Sequence, residues 1–164
     1  MKPDLAGHVY DAKDLHDFCA KCREQSKKIV LATGGFDFLH PAHLKFLEKS
    51  REYGDVLVVG INDDNYIRKT KGEHRPVLNQ HDLAHLVAGF RCVTCVHIIG
   101  RDLIKIVRPD IFIMSTSSIQ KPAERKQHYQ LVEKYGGKVV VMDPLSGIHS
   151  SDLIEKMKGP KPPL

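Results

Sequence analysis

The chain has 164 residues, of which 41% are hydrophobic and 27% charged, and a formal net charge of +5. That length suits one domain with a substantial core, in the ordinary balance of a soluble protein. No apolar run approaches the ~20 residues of a membrane span, and residues 1–10 lack a signal-peptide core, so a cytoplasmic location and no membrane partner are expected.

In chain order, Leu15, Phe18, Cys19 and Cys22 fall at i, i+3, i+4 and i+7 and predict one apolar face of a helix. Lys28 to Thr33 reads as the first strand, followed by a helix containing Leu44, Phe46 and Leu47 that runs to about Tyr53 before Gly54. Val56 to Ile61 is the second strand, and Asn62 to Pro76 reads as the loop after it. Leu83, Leu86, Val87 and Phe90 make a helical stripe, with Asn79 or Asp82 available as its cap. Val93 to Ile99 is the third strand. Leu103, Ile104 and Val107 form a short helix that stops near Arg108-Pro109. Asp110 to Met114 is the fourth strand. A helix with His128, Leu131, Val132 and Tyr135 closes at Gly136-Gly137. Lys138 to Met142 is the fifth strand, and a last helix begins at Ser150 or Ser151.

Most of these strands are continuous Val/Ile-rich runs, the pattern of parallel strands buried on both faces. The expected fold is therefore α/β: a Rossmann-like, doubly wound, five-stranded parallel sheet in a single domain over residues 1–158, with a Pro-rich flexible tail at 159–164. Ligands of such sheets bind beyond the C-terminal strand ends. That draws attention to Thr33–His43, Asn62–Pro76, Ser115–Pro122 and Asp143–Ser151.

Lysines and arginines are spread along the chain, so the positive balance suits a small anionic ligand better than nucleic acid, and no nucleic-acid partner is expected. The cysteines form two CxxC pairs, Cys19-Cys22 and Cys92-Cys95. Two such pairs can mark zinc. Here the first lies on an apolar helix face and the second at a strand entry, where positions three apart face opposite ways. Core packing is the favoured reading, no metal ligands are assigned, and zinc is the alternative.

The loop after the first strand reads Thr33-Gly34-Gly35-Phe36-Asp37-Phe38-Leu39-His40-Pro41-Ala42-His43. Two glycines let the backbone approach a ligand closely. The helix that follows offers free N–H groups to an anion. Two imidazoles three residues apart at that terminus can donate to phosphate oxygens and stabilise charge during transfer at phosphorus.

GGFDFLHPAH resembles the G-x-F-D-x-x-H-x-G-H signature of cytidylyltransferase-like nucleotidyltransferases, with Ala42 in place of the second glycine. YGDVLVVGINDD, KGEHRPV, GFRCV, IVRPDIFI and YGGKVVVMDPLSGIHSSDLI extend the likeness to the adenylyltransferase domain of ADP-heptose synthases, and glycerol-3-phosphate cytidylyltransferase is similar too. The resemblance implies transfer of a nucleotidyl group, AMP favoured over CMP, from ATP or CTP to a small phosphorylated metabolite such as a sugar 1-phosphate. Pyrophosphate leaves, Mg2+ accompanies the triphosphate, and the enzyme works as a homodimer. By that resemblance His40, His43 and Lys71 are catalytic, with Arg68 and Lys69 as neighbouring candidates. Thr33, Gly34, Gly35, Phe36, His40, His43, Ser150 and Ser151 bind the nucleotide, and Asp37, Asn62, Arg75, Ser115 and Thr116 are substrate-binding candidates. The bland alternatives are a solvated basic loop at Lys71 and a plain helix cap at Ser150-Ser151.

The chain departs from that pattern at Leu83, where the resembled enzymes place an arginine, and at His149 in the final Ser/Thr motif. It departs again at Ser115-Thr116-Ser117-Ser118, where they carry a glycine, an acid and an aromatic. A nucleotide-binding domain that regulates a partner without turnover is the alternative function, and a cytidylyltransferase acting on a phosphorylated alcohol is another.

Overall fold

A computed structural model describes residues 7–99, 102–116, 122–143 and 150–157. Its elements are β1 (His8–Val9), α1 (Ala12–Glu24), β2 (Ile29–Gly34), α2 (Pro41–Arg51), β3 (Val56–Asn62), α3 (Asp64–Lys71), α4 (Gln80–Ala88), β4 (Cys95–Ile99), α5 (Leu103–Val107), β5 (Ile111–Ser115), α6 (Pro122–Glu133), β6 (Lys138–Met142) and α7 (Ser150–Met157). The strands form one sheet in the order β1-β4-β3-β2-β5-β6, and every pairing is parallel.

Alternation along each strand divides the core in two. Val30, Ala32, Leu57, Val59, Ile61, Ile111 and Ile113 meet α2 and α4 on one face of the sheet. Ile29, Leu31, Val56, Val58, Phe112 and Met114 meet α1, α5 and α6 on the other. Helices on both faces explain why the strands are apolar at successive positions. Two carboxylates fix the start of the central strand: Asp55 accepts from Lys28 N–H at 2.8 Å and Asp110 from Ile29 N–H at 2.7 Å.

The expected five strands are all present, and the sheet has a sixth. β1 has only two residues, both exposed, so it carries no apolar signal. Its structure comes from pairing across the chain, His8 with Cys95 and Val9 with Val96, with Tyr10 N–H donating to Val96 C=O at 2.9 Å. A second correction lies after β3. Asp64 to Lys71 is helical where a loop was expected; only Ile67 of α3 is buried, so no apolar stripe announces it. Its ends are nevertheless marked. Asp63 caps the N-terminus by accepting from Tyr66 N–H at 2.8 Å, and Gly72 ends the helix at φ +103°.

α2 begins at Pro41, three residues before the apolar positions that suggested it, because proline suits the first turn. Asn79, not Asp82, caps α4, accepting from His81 and Asp82 N–H at 3.0 Å. The fourth strand in sequence order starts at Cys95, so Cys92 precedes it. Cys92 borders the α2/α4 face while Cys95 sits in the other. Residues 159–164 and the loop residues Ser117, Ser118 and Ser146–His149 lie outside the described residues.

Candidate active site

The strand order reverses beside β2: the chain proceeds from β2 to β3 and β4 on one side, and β5 and β6 lie on the other. The crevice beyond the C-terminal ends of β2 and β5 is the place where open parallel sheets bind ligands. Thr33 and Gly34 end β2, and Ser115 ends β5, half-buried and paired with Met142. Thr116 follows it and is exposed. Asn62 ends β3, half-buried and in register with Ile99.

Between β2 and α2 the backbone turns sharply, with Phe36 at φ +44°. Phe36 is buried in the sheet's α2/α4 face. A Cβ on Gly34 would sit 2.9 Å from the Phe36 ring, so the turn needs glycine there. His40 is the N-cap of α2, and His43 N–H donates to His40 C=O at 2.9 Å. This first turn brings the two imidazoles into a stack, ring centroids 3.9 Å apart and planes inclined by 27°. The Phe36 ring packs edge-on against His43 at 5.3 Å. His43 Nδ1 is buried without a hydrogen-bond partner among the described residues. Burial, then His40, then Lys71, push the His43 imidazole down to about 3, so it is neutral at pH 7.

α3 closes the other side. A Cβ on Gly35 would lie 3.0 Å from Ile67 Cδ1 and 3.5 Å from Lys71 Nζ. The glycine therefore lets α3 approach and brings the ammonium to the turn. Lys71 is exposed as a whole, yet burial around its ammonium lowers its affinity for the proton. Asp37 opposes that shift and Arg75 adds to it. Arg68 and Lys69 are exposed, and Arg68 bonds to Asn65 at 3.0 Å on its own helix.

Asp37 is fully buried. It pairs with the Arg75 guanidinium through Oδ2 and accepts from Val77 N–H at 2.6 Å through Oδ1. The two residues named separately from the sequence are thus bonded to each other. Sequence reasoning missed this pairing, and also missed the contribution of Ile67. Ser150 and Ser151 open α7, and their side chains lie outside the described residues.

The arrangement gathers two stacked imidazoles, an ammonium, a glycine turn and a helix N-terminus at one strand end. It suits a polyanion with several phosphate oxygens. Among the described residues no three His, Cys, Asp or Glu side chains are placed to hold a metal ion. None of the described helices is long and apolar enough to cross a membrane.

Leu83, where the sequence departs from the resembled pattern, is 2% exposed within the core.

Comparison with known proteins agrees with this geometry. The sequence profile described as cytidylyltransferase-like matches residues 31–156. The chain is 35% identical over 164 residues to the bifunctional protein HldE of Syntrophotalea carbinolica, covering 93% of this chain and 33% of that protein. It is 38% identical over 116 residues to the bifunctional protein HldE of Aliarcobacter butzleri, covering 68% and 24%. The chain therefore spans about a third or less of the length of these curated relatives. Among solved structures, the lipopolysaccharide core biosynthesis protein of Thermoplasma volcanium superposes with a TM-score of 0.61 at 25% identity, over 74% of this chain and 99% of that one. Pantoate-beta-alanine ligase of Francisella tularensis shares the fold, with a TM-score of 0.55 at 17% identity over 93% of this chain and 77% of that one. The chain belongs to the cytidylyltransferase-like family.

Proposed function

We propose that this domain is a nucleotidyltransferase that moves AMP from ATP to a small phosphorylated metabolite, a sugar 1-phosphate in the first instance, and releases pyrophosphate. The stacked His40–His43 pair at the N-terminus of α2 carries this reading. The resemblance to adenylyltransferase domains favours ATP over CTP, and likeness to a lipopolysaccharide core biosynthesis protein is in keeping with a sugar acceptor.

A phosphate oxygen of the acceptor attacks the α-phosphorus, and the bond from that phosphorus to the bridging oxygen of the β-phosphate breaks. The electron pair leaves with pyrophosphate. No side chain is covalently modified. His40 and His43 donate hydrogen bonds to the α- and β-phosphates, and Lys71 balances charge on the leaving group. Neutral His43 enters the reaction ready to donate, and the arriving triphosphate favours protonation of its ring. Mg2+ travels with the triphosphate as part of the substrate. Thr33, Gly34, Gly35 and Phe36 shape the cradle, and Ser150 and Ser151 at α7 complete it on the β- and γ-phosphates. Asn62 at the end of β3, and Ser115 and Thr116 at and just past the end of β5, are the acceptor-binding candidates. A homodimer is the expected assembly.

One observation favours a second reading. Buried Leu83 cannot supply the guanidinium of the resembled enzymes, which suits a domain that binds nucleotide and regulates a partner. A thermal-shift screen of ATP and CTP, followed by a pyrophosphate-release assay with phosphorylated sugars and alcohols, separates the two. Release with a sugar 1-phosphate supports transfer. Nucleotide binding without release from any acceptor supports the regulator.

A further inference from the structure

Asp37 stands in the turn between β2 and α2, but its carboxylate is not offered to the crevice. It is fully buried, and both oxygens are engaged by the segment that follows α3. That segment leaves the helix at Gly72, one residue after Lys71, and turns back through a hydrogen bond from Arg75 N–H to Gly72 C=O at 3.1 Å. Arg75 and Val77 then both reach Asp37.

The start of α3 is tied down elsewhere. Asp64 and Gln80 exchange bonds, Gln80 N–H donating to Asp64 at 2.8 Å and Asp64 N–H to the Gln80 side chain at 3.0 Å. The N-terminus of α3 is thus fixed to α4, and its C-terminal exit is fixed to the β2–α2 turn by Asp37. Lys71 sits at that exit, with its ammonium 3.5 Å from the position a Gly35 Cβ would take.

We propose that Asp37 is a positioning residue whose paired carboxylate clasps residues 72–77 to the β2–α2 turn and so holds the Lys71 ammonium over Gly35. The clasp also sets the local charge. Asp37 pairs with Arg75 and also attracts the ammonium, which lies near neutral His43. Its effect on rate rests on the transferase reading, whereas its effect on Lys71 does not.

The test uses the full chain and reads Lys71 directly, by NMR titration of its side-chain signal in isotopically labelled protein, assigned through Lys71→Arg. Asp37→Asn keeps an oxygen for Val77 N–H and removes the charge that holds Arg75. Burial is the foremost cause of the lowered proton affinity of Lys71, so an ammonium freed from its place over Gly35 should titrate at higher pH than in the parent. Loss of a neighbouring anion with the clasp irrelevant would move it to lower pH instead. Arg75→Lys keeps the cation and loses the guanidinium contact, so the same upward shift is expected there, and it decides the matter if Asp37→Asn fails to fold. A downward shift in Asp37→Asn, or unchanged titration in Arg75→Lys, would overturn the clasp.

Where turnover is measurable, Asp37→Asn should lower kcat/KM by about tenfold in the parent and by less than about twofold in a Lys71→Ala background. Equal losses in both backgrounds contradict action through Lys71. Upward titration shifts with no turnover on any acceptor uphold the clasp and remove the transferase reading instead.

Discussion

His40 and His43 stack with their ring centroids 3.9 Å apart, held by a helical first turn in which His43 N–H donates to His40 C=O. Two imidazolium ions at that separation would repel each other, and His43 is the ring held neutral. The pair is therefore suited to receive anionic oxygen, where hydrogen bonds donated by neutral rings or charge from protonated ones lower the energy of the transferring group.

Replacing His43 with alanine should reduce turnover by about tenfold or more, the cost of removing one such donor or a larger one. Because His43 lies at the edge of the core beside Phe36, the fold should persist. Circular dichroism and a pyrophosphate-release assay on the same preparation check both halves of that expectation.

Acid should weaken the fold through the same residue. His43 ordinarily titrates at 6.5 and is pushed down to about 3 in the folded chain. Between those values the unfolded chain takes a proton that the folded chain refuses. The stability of the neutral, buried ring is thus fully present above 6.5 and is lost as pH falls towards 3. The slope from this one group is at most about 1.4 kcal/mol per pH unit. Urea unfolding of the parent and of His43→Asn at pH 7.5 and 4.5 measures it, and the variant should lose less stability on acidification.

Gly35→Ala should leave the protein folded and weaken nucleotide binding by roughly three- to tenfold, because a small misplacement of a phosphate-binding group is costly. The new methyl meets the flexible ends of Ile67 and Lys71 at 3.0 and 3.5 Å, so these side chains move and the backbone stays. Calorimetric titration with ATP compares the two proteins.

Much of this was readable in the amino-acid order, for definite reasons. β2, β3 and β5 are buried on both faces, so Val and Ile succeed one another without alternation and the strands stand out. β1 was not readable, since two exposed residues become a strand only by lying beside Cys95 and Val96. α3 was hidden by its single buried residue, Ile67, although Asp63 and Gly72 bracket it as a cap and a stop. At the site, local spacing put His40 and His43 together, because three residues make nearly one helical turn. Asp37 and Arg75 are 38 positions apart, and only the folded chain joins them.

The cysteines follow from the same division of faces. Cys19, Cys22 and Cys95 share the core on the α1 side, where burial pushes the Cys19 thiol up to about 12 and raises the other two. Cys92 is half-buried on the other side, and burial raises its thiol as well. In native protein a thiol reagent should modify Cys92 first and reach the remaining three only on unfolding. A chelator should leave the melting temperature unchanged. A fall on chelation would revive a zinc site at the two CxxC pairs.

31P NMR of the full chain incubated with ATP, Mg2+ and a panel of sugar 1-phosphates tests transfer most directly. The paired resonances of a nucleoside diphosphate sugar should grow with free pyrophosphate and be suppressed in His43→Ala. Spectra in which ATP and every acceptor persist unchanged, although ATP binds, would contradict transfer at this site.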